Sequence, residues 1–179
     1  MADKKKGYGL LILLGIIFLA TRKSDDDGPI KQITPDQNKK FPFAANAMTF
    51  IATNTTLARQ LATEYGIPVD TTLAQSGLES GWGTSELAKN ANNYFGIKAT
   101  GDWPGPVYKG YRQYNSIAES FEDYGKFLST QSRYKPAFAA NTTDPVVFAS
   151  YIAKEDYAED PNYLKKITDT IHLVQSIKQ

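Results

Sequence analysis

The sequence predicts a mainly helical α+β domain with a small β-hairpin lobe, preceded by an N-terminal transmembrane helix and a polar tether. Three observations predict this. Apolar residues recur at helical spacing in several separate stretches of the 179-residue chain. Between two of them, Gly96 to Tyr114 is rich in glycine, proline and aromatics and breaks the helical period, which suits a hairpin. The first 23 residues join a lysine cluster to a continuous apolar run.

In that first segment Lys4, Lys5 and Lys6 precede an apolar stretch from Gly7 to Thr21. As a helix it would extend roughly 22 Å at about 1.5 Å per residue, short of a hydrocarbon core of ~30 Å. Flanking Lys6, Arg22 and Lys23 can reach the interface, so a thin or pinched bilayer could still be spanned. A cleaved secretory signal fits the same pattern, but Phe18-Leu19-Ala20 puts a bulky residue where a small one is wanted, so residues 1–23 are read as a retained anchor. Without cysteine a lipid-modified anchor is excluded. The lysines favour a cytoplasmic N-terminus, which places the following domain on the extracytoplasmic side. Residues 24–43, with Asp25-Asp26-Asp27-Gly28-Pro29 and few large apolar groups, read as a linker. Residues 44–179 remain as one globular domain, large enough to bury its own core and without an internal repeat.

Within that domain helical patterns run over about 55–65, 69–80, 85–89, 117–130, 145–153 and 162–177. Pro68 precedes the second, Asp70 or Thr71 can cap it, and Gly81 stops it. Thr84 stands near the start of the third. Asp160 followed by Pro161 is a helix-start signal, which makes Asp160 a cap rather than a catalyst.

The run Leu73-Ala74-Gln75-Ser76-Gly77-Leu78-Glu79-Ser80-Gly81-Trp82-Gly83 carries the chemistry. It places Glu79 in the last helical turn, facing the negative end of the helix dipole, with Trp82 close by. Both the dipole and burial disfavour the ionised carboxylate, so its pKa rises. A carboxyl group still protonated near neutral pH is what protonation of a leaving glycosidic oxygen requires. Most helical glutamates are solvated surface groups, and Glu79 alone would be one. Gly77 shifts the balance: inside a helix it costs roughly 1 kcal/mol against alanine, which points to a close approach by another backbone or a ligand. Glu86, at the start of its helix, is stabilised by the dipole and reads as structural.

Composition narrows the ligand. Lys+Arg number 20 against 19 Asp+Glu, and without residues 1–23 (five basic, one acidic) the balance is 15 against 18. Capture of nucleic acid by charge is therefore not expected. The chain carries 11 Tyr, 9 Phe and 2 Trp, and flat aromatic faces beside amides and hydroxyls suit neutral amphipathic sugars. Phe121, Phe127, Phe138 and Phe148 read as core; Trp82, Tyr94, Trp103, Tyr114 and Tyr157 are assigned to a groove. With no Cys and one His, His172, which lies in a terminal helical pattern, no zinc site or other cofactor is expected.

The string LAQSGLESGWGTSELAKNANNYFGIKA, with Tyr111-Arg112-Gln113-Tyr114-Asn115-Ser116 and Tyr157-Ala158-Glu159-Asp160-Pro161-Asn162-Tyr163 behind it, resembles the bacterial N-acetylglucosaminidases of glycoside hydrolase family 73, which include autolysins, flagellar rod-penetrating enzymes and phage lysins. The resemblance covers roughly residues 45 to 178. Lytic transglycosylases share the segment around Glu79, but the Asn-Tyr-Phe-Gly-Ile-Lys continuation separates them. It implies a lysozyme-like fold and a peptidoglycan hydrolase cleaving the β-1,4 glycan backbone, with Glu79 as general acid. It also implies Tyr157 in the site, and Trp82, Asn93, Tyr94, Phe95, Trp103 and Tyr114 are expected to bind the sugar. The expected partners are glycan strands, a membrane through residues 7–21, and a larger membrane or virion assembly. Family members often carry a second acid in the hairpin, whereas here Asp102 is the only one between Lys98 and Tyr114, in a setting that is equally a turn. Three readings follow: a hydrolase, aided by Asp102 or by the sugar's own N-acetyl group; a lytic transglycosylase; or a noncatalytic wall-binding component.

Overall fold

The computed structural model describes residues 42–101, 103–155, 157–158 and 160–178. The expected anchor and nearly all of the linker, like Asp102, lie outside them. Among the described residues no helix is long and apolar enough to cross a membrane.

Helix α1 spans Pro42–Tyr65 and starts well upstream of the expected Thr55. Asn54 and Thr55, residues that favour turns and caps, are absorbed into it because their side chains donate to Phe50 O (2.8 Å) and Ile51 O (2.7 Å). Helix α2, Val69–Ser80, matches its expected limits, but its cap does not. Pro68 stands at the N-cap without a side-chain bond. Asp70 instead pairs with Lys178 at the far end of the chain, and Thr71 Oγ1 donates to Pro145 O at 2.9 Å. Both side chains serve tertiary packing, which spacing along one helix does not reveal. Gly81 ends α2 in the left-handed conformation (φ 58°), its N–H donating to Gly77 O.

Helix α3, Glu86–Ala91, is capped by Ser85 and not Thr84: Ser85 Oγ accepts from Ala88 N at 3.1 Å. Strands β1 (Val107–Tyr108) and β2 (Tyr111–Arg112) pair antiparallel with Tyr108 opposite Tyr111. Lys109 and Gly110, both at positive φ (49° and 83°), make the two-residue turn between them. Helix α4 covers Ile117–Thr130 and is capped by Ser116. A 3-10 turn at Ser132–Tyr134 leads into α5, Lys135–Ala139. Helix α6, Pro145–Lys154, begins at Asp144, whose carboxylate accepts from Val146 N and Val147 N. Helix α7 covers Tyr163–Lys178. Asp160 closes its start as expected, with Oδ1 accepting from Asn162 N at 2.9 Å and its carbonyl from Tyr163 N at 2.9 Å.

The described residues are therefore mainly helical with one small two-stranded sheet. Helix α2 is the central element, packed against α1, α6 and α7. Two apolar clusters flank it: Phe50, Ile51, Leu73, Trp82, Ile167 and Ile171 in one, Phe95, Phe121, Tyr124, Leu128 and Phe148 in the other. Phe121 and Phe148 are fully buried and Phe127 and Phe138 pack against the second cluster, as their spacing predicts. Burying each of these rings is worth about 1.5–3 kcal/mol. His172 is on the exposed face of α7.

Candidate active site

Helix α2 delivers Glu79 one residue before its C-terminus, half-buried. Burial pushes its carboxyl above the usual range, and a hydrogen bond from Tyr163 opposes part of that rise. On the other side the chain turns at Gly96 (φ 66°), where a Cβ would stand 3.5 Å from Glu79 Oε2. Tyr124, Tyr157 and Tyr163 all feel the charge of Glu79, and their phenols are held well above the ordinary value, chiefly by burial. The carboxyl thus sits among neutral hydroxyl-bearing rings.

Those rings are ordered by polar contacts. Tyr163 OH accepts from Gln75 Nε2 at 3.0 Å, and Tyr124 OH donates to Gln75 Oε1. Gln75 is one turn before Glu79 on α2 and almost fully buried. Tyr157 OH donates to Phe95 O at 3.0 Å, and its ring stacks on Tyr163 with centroids 5.9 Å apart. This ties the segment before α7 to the loop that faces Glu79. Gln75, Tyr124 and Tyr163 are not among the residues singled out from sequence. Gln75 could have been, since a glutamine four residues before Glu79 on an apolar helix shares its face.

The structure moves several expected groove residues inside. Trp82 is 5% exposed and lies over Gly77, where an added Cβ would collide with its indole. The close approach inferred at Gly77 is therefore made by a side chain, and on another face of α2: two residues of helix turn the chain about 200°, away from Glu79. Asn93 is also buried and works on the backbone, its Nδ2 donating to Ile97 O (3.0 Å) and Arg112 O (2.8 Å) and its Oδ1 accepting from Ile97 N. It clasps the loop carrying Phe95 and Gly96. Phe95 is 1% exposed and stacks on Tyr124 at 3.9 Å between centroids. Tyr114 is buried, with its hydroxyl donating to Asp123 Oδ2 at 2.6 Å. Consecutive aromatics on a turning chain face opposite ways, so a motif read as a row of ligand contacts contains residues that support the surface from behind.

Tyr94 and Trp103 remain part-exposed. Tyr94 stacks on Phe50 at 5.9 Å, and Trp103 covers the Arg112 guanidinium at 4.6 Å. Arg112 in turn grips Asp123 through Nη1 at 2.8 and 3.0 Å, locking the hairpin to α4. Glu86 is exposed and accepts from Tyr108 OH (2.8 Å) and Lys109 Nζ (2.5 Å), which hold its carboxyl below the usual range. It fastens the hairpin turn to α3, consistent with its structural reading.

These arrangements can be set beside known proteins. Residues 55–176 match the glucosaminidase family model, described as mannosyl-glycoprotein endo-β-N-acetylglucosaminidase. The chain is 31% identical over 166 residues to the peptidoglycan hydrolase FlgJ of Salmonella typhimurium, covering 82% of this chain and 52% of that protein. It spans about half the length of the curated relatives it matches. A peptidoglycan hydrolase from Sphingomonas sp. A1 superposes with a TM-score of 0.65 at 29% identity, covering 73% of this chain and 93% of that one. The glycoside hydrolase domain of Salmonella typhimurium FlgJ superposes with a TM-score of 0.59 at 33% identity, covering 74% and 90%. By fold and sequence the chain belongs to the glucosaminidase family, glycoside hydrolase family 73.

Proposed function

We propose that the protein is a peptidoglycan hydrolase that cleaves the β-1,4 glycan backbone on the reducing side of N-acetylglucosamine, with Glu79 as general acid. The observation that carries this reading is the Glu79 carboxyl at the end of α2, raised by burial, with Gly96 of the facing loop so close that a Cβ there would lie 3.5 Å from its Oε2. A carboxyl in that state holds a proton for the leaving oxygen at a pH where an exposed glutamate has lost it. The peptidoglycan hydrolases and the exo-glucosaminidase LytG of Bacillus subtilis among its relatives support the same substrate class. Tyr157 orders the site through Phe95 O, and Tyr94 and Trp103 offer faces for sugar rings.

The hairpin favours a second reading of how the reaction is completed. Its strands are two residues each, and among the described residues from Gly96 to Tyr114 none is acidic. Without a partner carboxylate, the 2-acetamido group of N-acetylglucosamine can attack its own anomeric carbon as the bond to the leaving oxygen breaks. A transglycosylase would instead cut on the reducing side of the muramic residue, whose 6-hydroxyl attacks its own anomeric carbon and leaves an anhydro product. Asp102 is the remaining acid in this segment, and a loss of only a few-fold in Asp102→Asn would remove it from the reaction. Mass spectrometry of digested peptidoglycan tests these readings: new reducing N-acetylglucosamine ends indicate hydrolysis, and anhydro-muramic ends indicate a transglycosylase. Binding without either product would leave a wall-binding component. Full activity in Glu79→Gln would overturn the assignment of the acid.

The division into an anchor over 1–23, a linker over 24–43 and a domain over 44–179 belongs to this proposal, as does action on the extracytoplasmic side at a cell or virion membrane. The lysine-flanked apolar stretch of residues 7–21 supports it. Membrane fractionation of the full chain, compared with a form lacking residues 1–23, checks it.

A further inference from the structure

Helix α2 buries Gln75 on the same face as Glu79, one turn earlier. A primary amide in that position has a direction: its oxygen only accepts and its nitrogen only donates. Tyr124, fully buried, presents its hydroxyl to Gln75 Oε1, where it can only be the donor. Gln75 Nε2 then faces the Tyr163 oxygen at 3.0 Å and must donate to it. With its lone pair so engaged, the Tyr163 hydroxyl keeps its own proton for the neighbouring Glu79, whose carboxyl it favours in the ionised form. The reverse orientation of the amide would draw the Tyr163 proton back to Gln75 and leave Glu79 without a donor.

We propose that Tyr124 and Gln75 form a polarised hydrogen-bond relay that holds the Tyr163 hydroxyl toward Glu79, making Gln75 and Tyr163 positioning residues for the acid. The proposal rests on the reading of Glu79 given above. Its consequence for the reaction is a balance. Glu79 must hold a proton before bond cleavage and carry a negative charge after giving that proton to the leaving oxygen. Burial serves the first state, while a fixed O–H donor in a water-poor site serves the second without reorganisation. Among the described residues the titratable groups around Glu79 are phenols: Tyr163 at the start of α7, Tyr124 on α4 and Tyr157 in the segment before α7. Each phenol is itself pushed upward by burial and stays neutral through the working range, so the hydroxyls act as donors and not as charges.

The test is the pH dependence of glycan cleavage on soluble peptidoglycan fragments, measured for the full chain and for Tyr163→Phe, Gln75→Met and Tyr124→Phe. The alkaline limb reports deprotonation of Glu79. Removing a donor to the carboxylate raises its pKa, so in Tyr163→Phe that limb moves to higher pH by about one unit. Tyr124→Phe is the discriminating variant, since it leaves Tyr163 in place but frees Gln75 Oε1 to turn toward it. The same limb moves in the same direction, by less. An unmoved limb in Tyr163→Phe, or in a folded Tyr124→Phe, overturns the relay. Gln75→Met is expected to copy Tyr163→Phe; if it fails to fold, the two tyrosine variants decide. Glu79→Gln keeps this outcome separate from the functional reading: if it is inactive while the limbs stay still, the relay fails and the acid stands, and if it is active, the acid itself fails.

Discussion

Gly96 stands against Glu79 so closely that a Cβ on it would lie 3.5 Å from Oε2. The loop is therefore bare where it meets the carboxyl, and the backbone there is left-handed, at φ 66°. Gly96→Ala adds a methyl group beside Glu79 and forces a non-glycine residue into that region, which costs about 1–2 kcal/mol. The expected outcome is a lower melting temperature together with a fall in kcat, since the methyl group occupies space at the acid. Thermal unfolding beside initial rates of wall lysis checks it. Loss of stability with an unchanged rate would place the leaving oxygen elsewhere.

Glu79 also makes a prediction about stability and pH. Its carboxyl is raised in the folded protein, so the folded state holds a proton that the unfolded state has released. Stability from this group is highest at acid pH and falls as pH rises from the unfolded value, about 4.3, through the folded one. Glu79→Gln removes the buried charge and that slope together. The variant is expected to be at least as stable as the parent above neutral pH while losing activity by about 100-fold or more. Melting temperatures at two pH values, read with lysis rates, provide the check.

The Trp82 ring occupies the space that a side chain at Gly77 would need, and Trp82 holds a positive φ of 57° to reach it. Its edge meets the Phe50 ring at 5.8 Å between centroids. Gly77→Ala drives a methyl group into the indole in a closed core, where overpacking costs about 1–3 kcal/mol. The loss should appear in chemical denaturation, with Trp82 fluorescence shifting to the red as the ring is displaced. Glycan cleavage, when measured below the melting temperature, should change less than stability, because this contact lies on a different face of α2 from Glu79.

The limits of α2 and α4 and the place of Glu79 at the end of α2 were legible in the sequence for a local reason. The periods of α2 and α4, the stop at Gly81 and the position of Glu79 all follow from residues within a few turns of each other. Contacts across the fold were not legible. Asp70 meets Lys178, Gln75 meets Tyr163 and Arg112 meets Asp123, partners whose pairing depends on how the helices pack. The same limit hid the burial of Asn93, Phe95 and Tyr114, since polarity and aromaticity do not show which way a residue faces. The early start of α1 was missed because Asn54 and Thr55 look like caps until their side chains bond back to the helix.

Two ion pairs hold the hairpin, and they should differ sharply in what their loss does. Arg112 and Asp123 are 15% and 18% exposed, Tyr114 OH donates into the same carboxylate, and Arg112 Nε is buried without a hydrogen-bond partner among the described residues. Asp123→Asn leaves the guanidinium buried and uncompensated, a change that costs about 3 kcal/mol. Lys109 and Glu86 are 64% and 60% exposed, and a pair so solvated contributes little that water does not replace. Lys109→Ala should therefore leave the unfolding midpoint within error of the parent. In Asp123→Asn the loosened hairpin also withdraws Ile97 and Asn93, which bond Arg112 through its backbone and so carry the disturbance to Gly96. Its cleavage rate should fall along with its stability, and limited proteolysis should cut first within residues 97–114. Equal behaviour of the two variants would show that the hairpin is not anchored through Arg112.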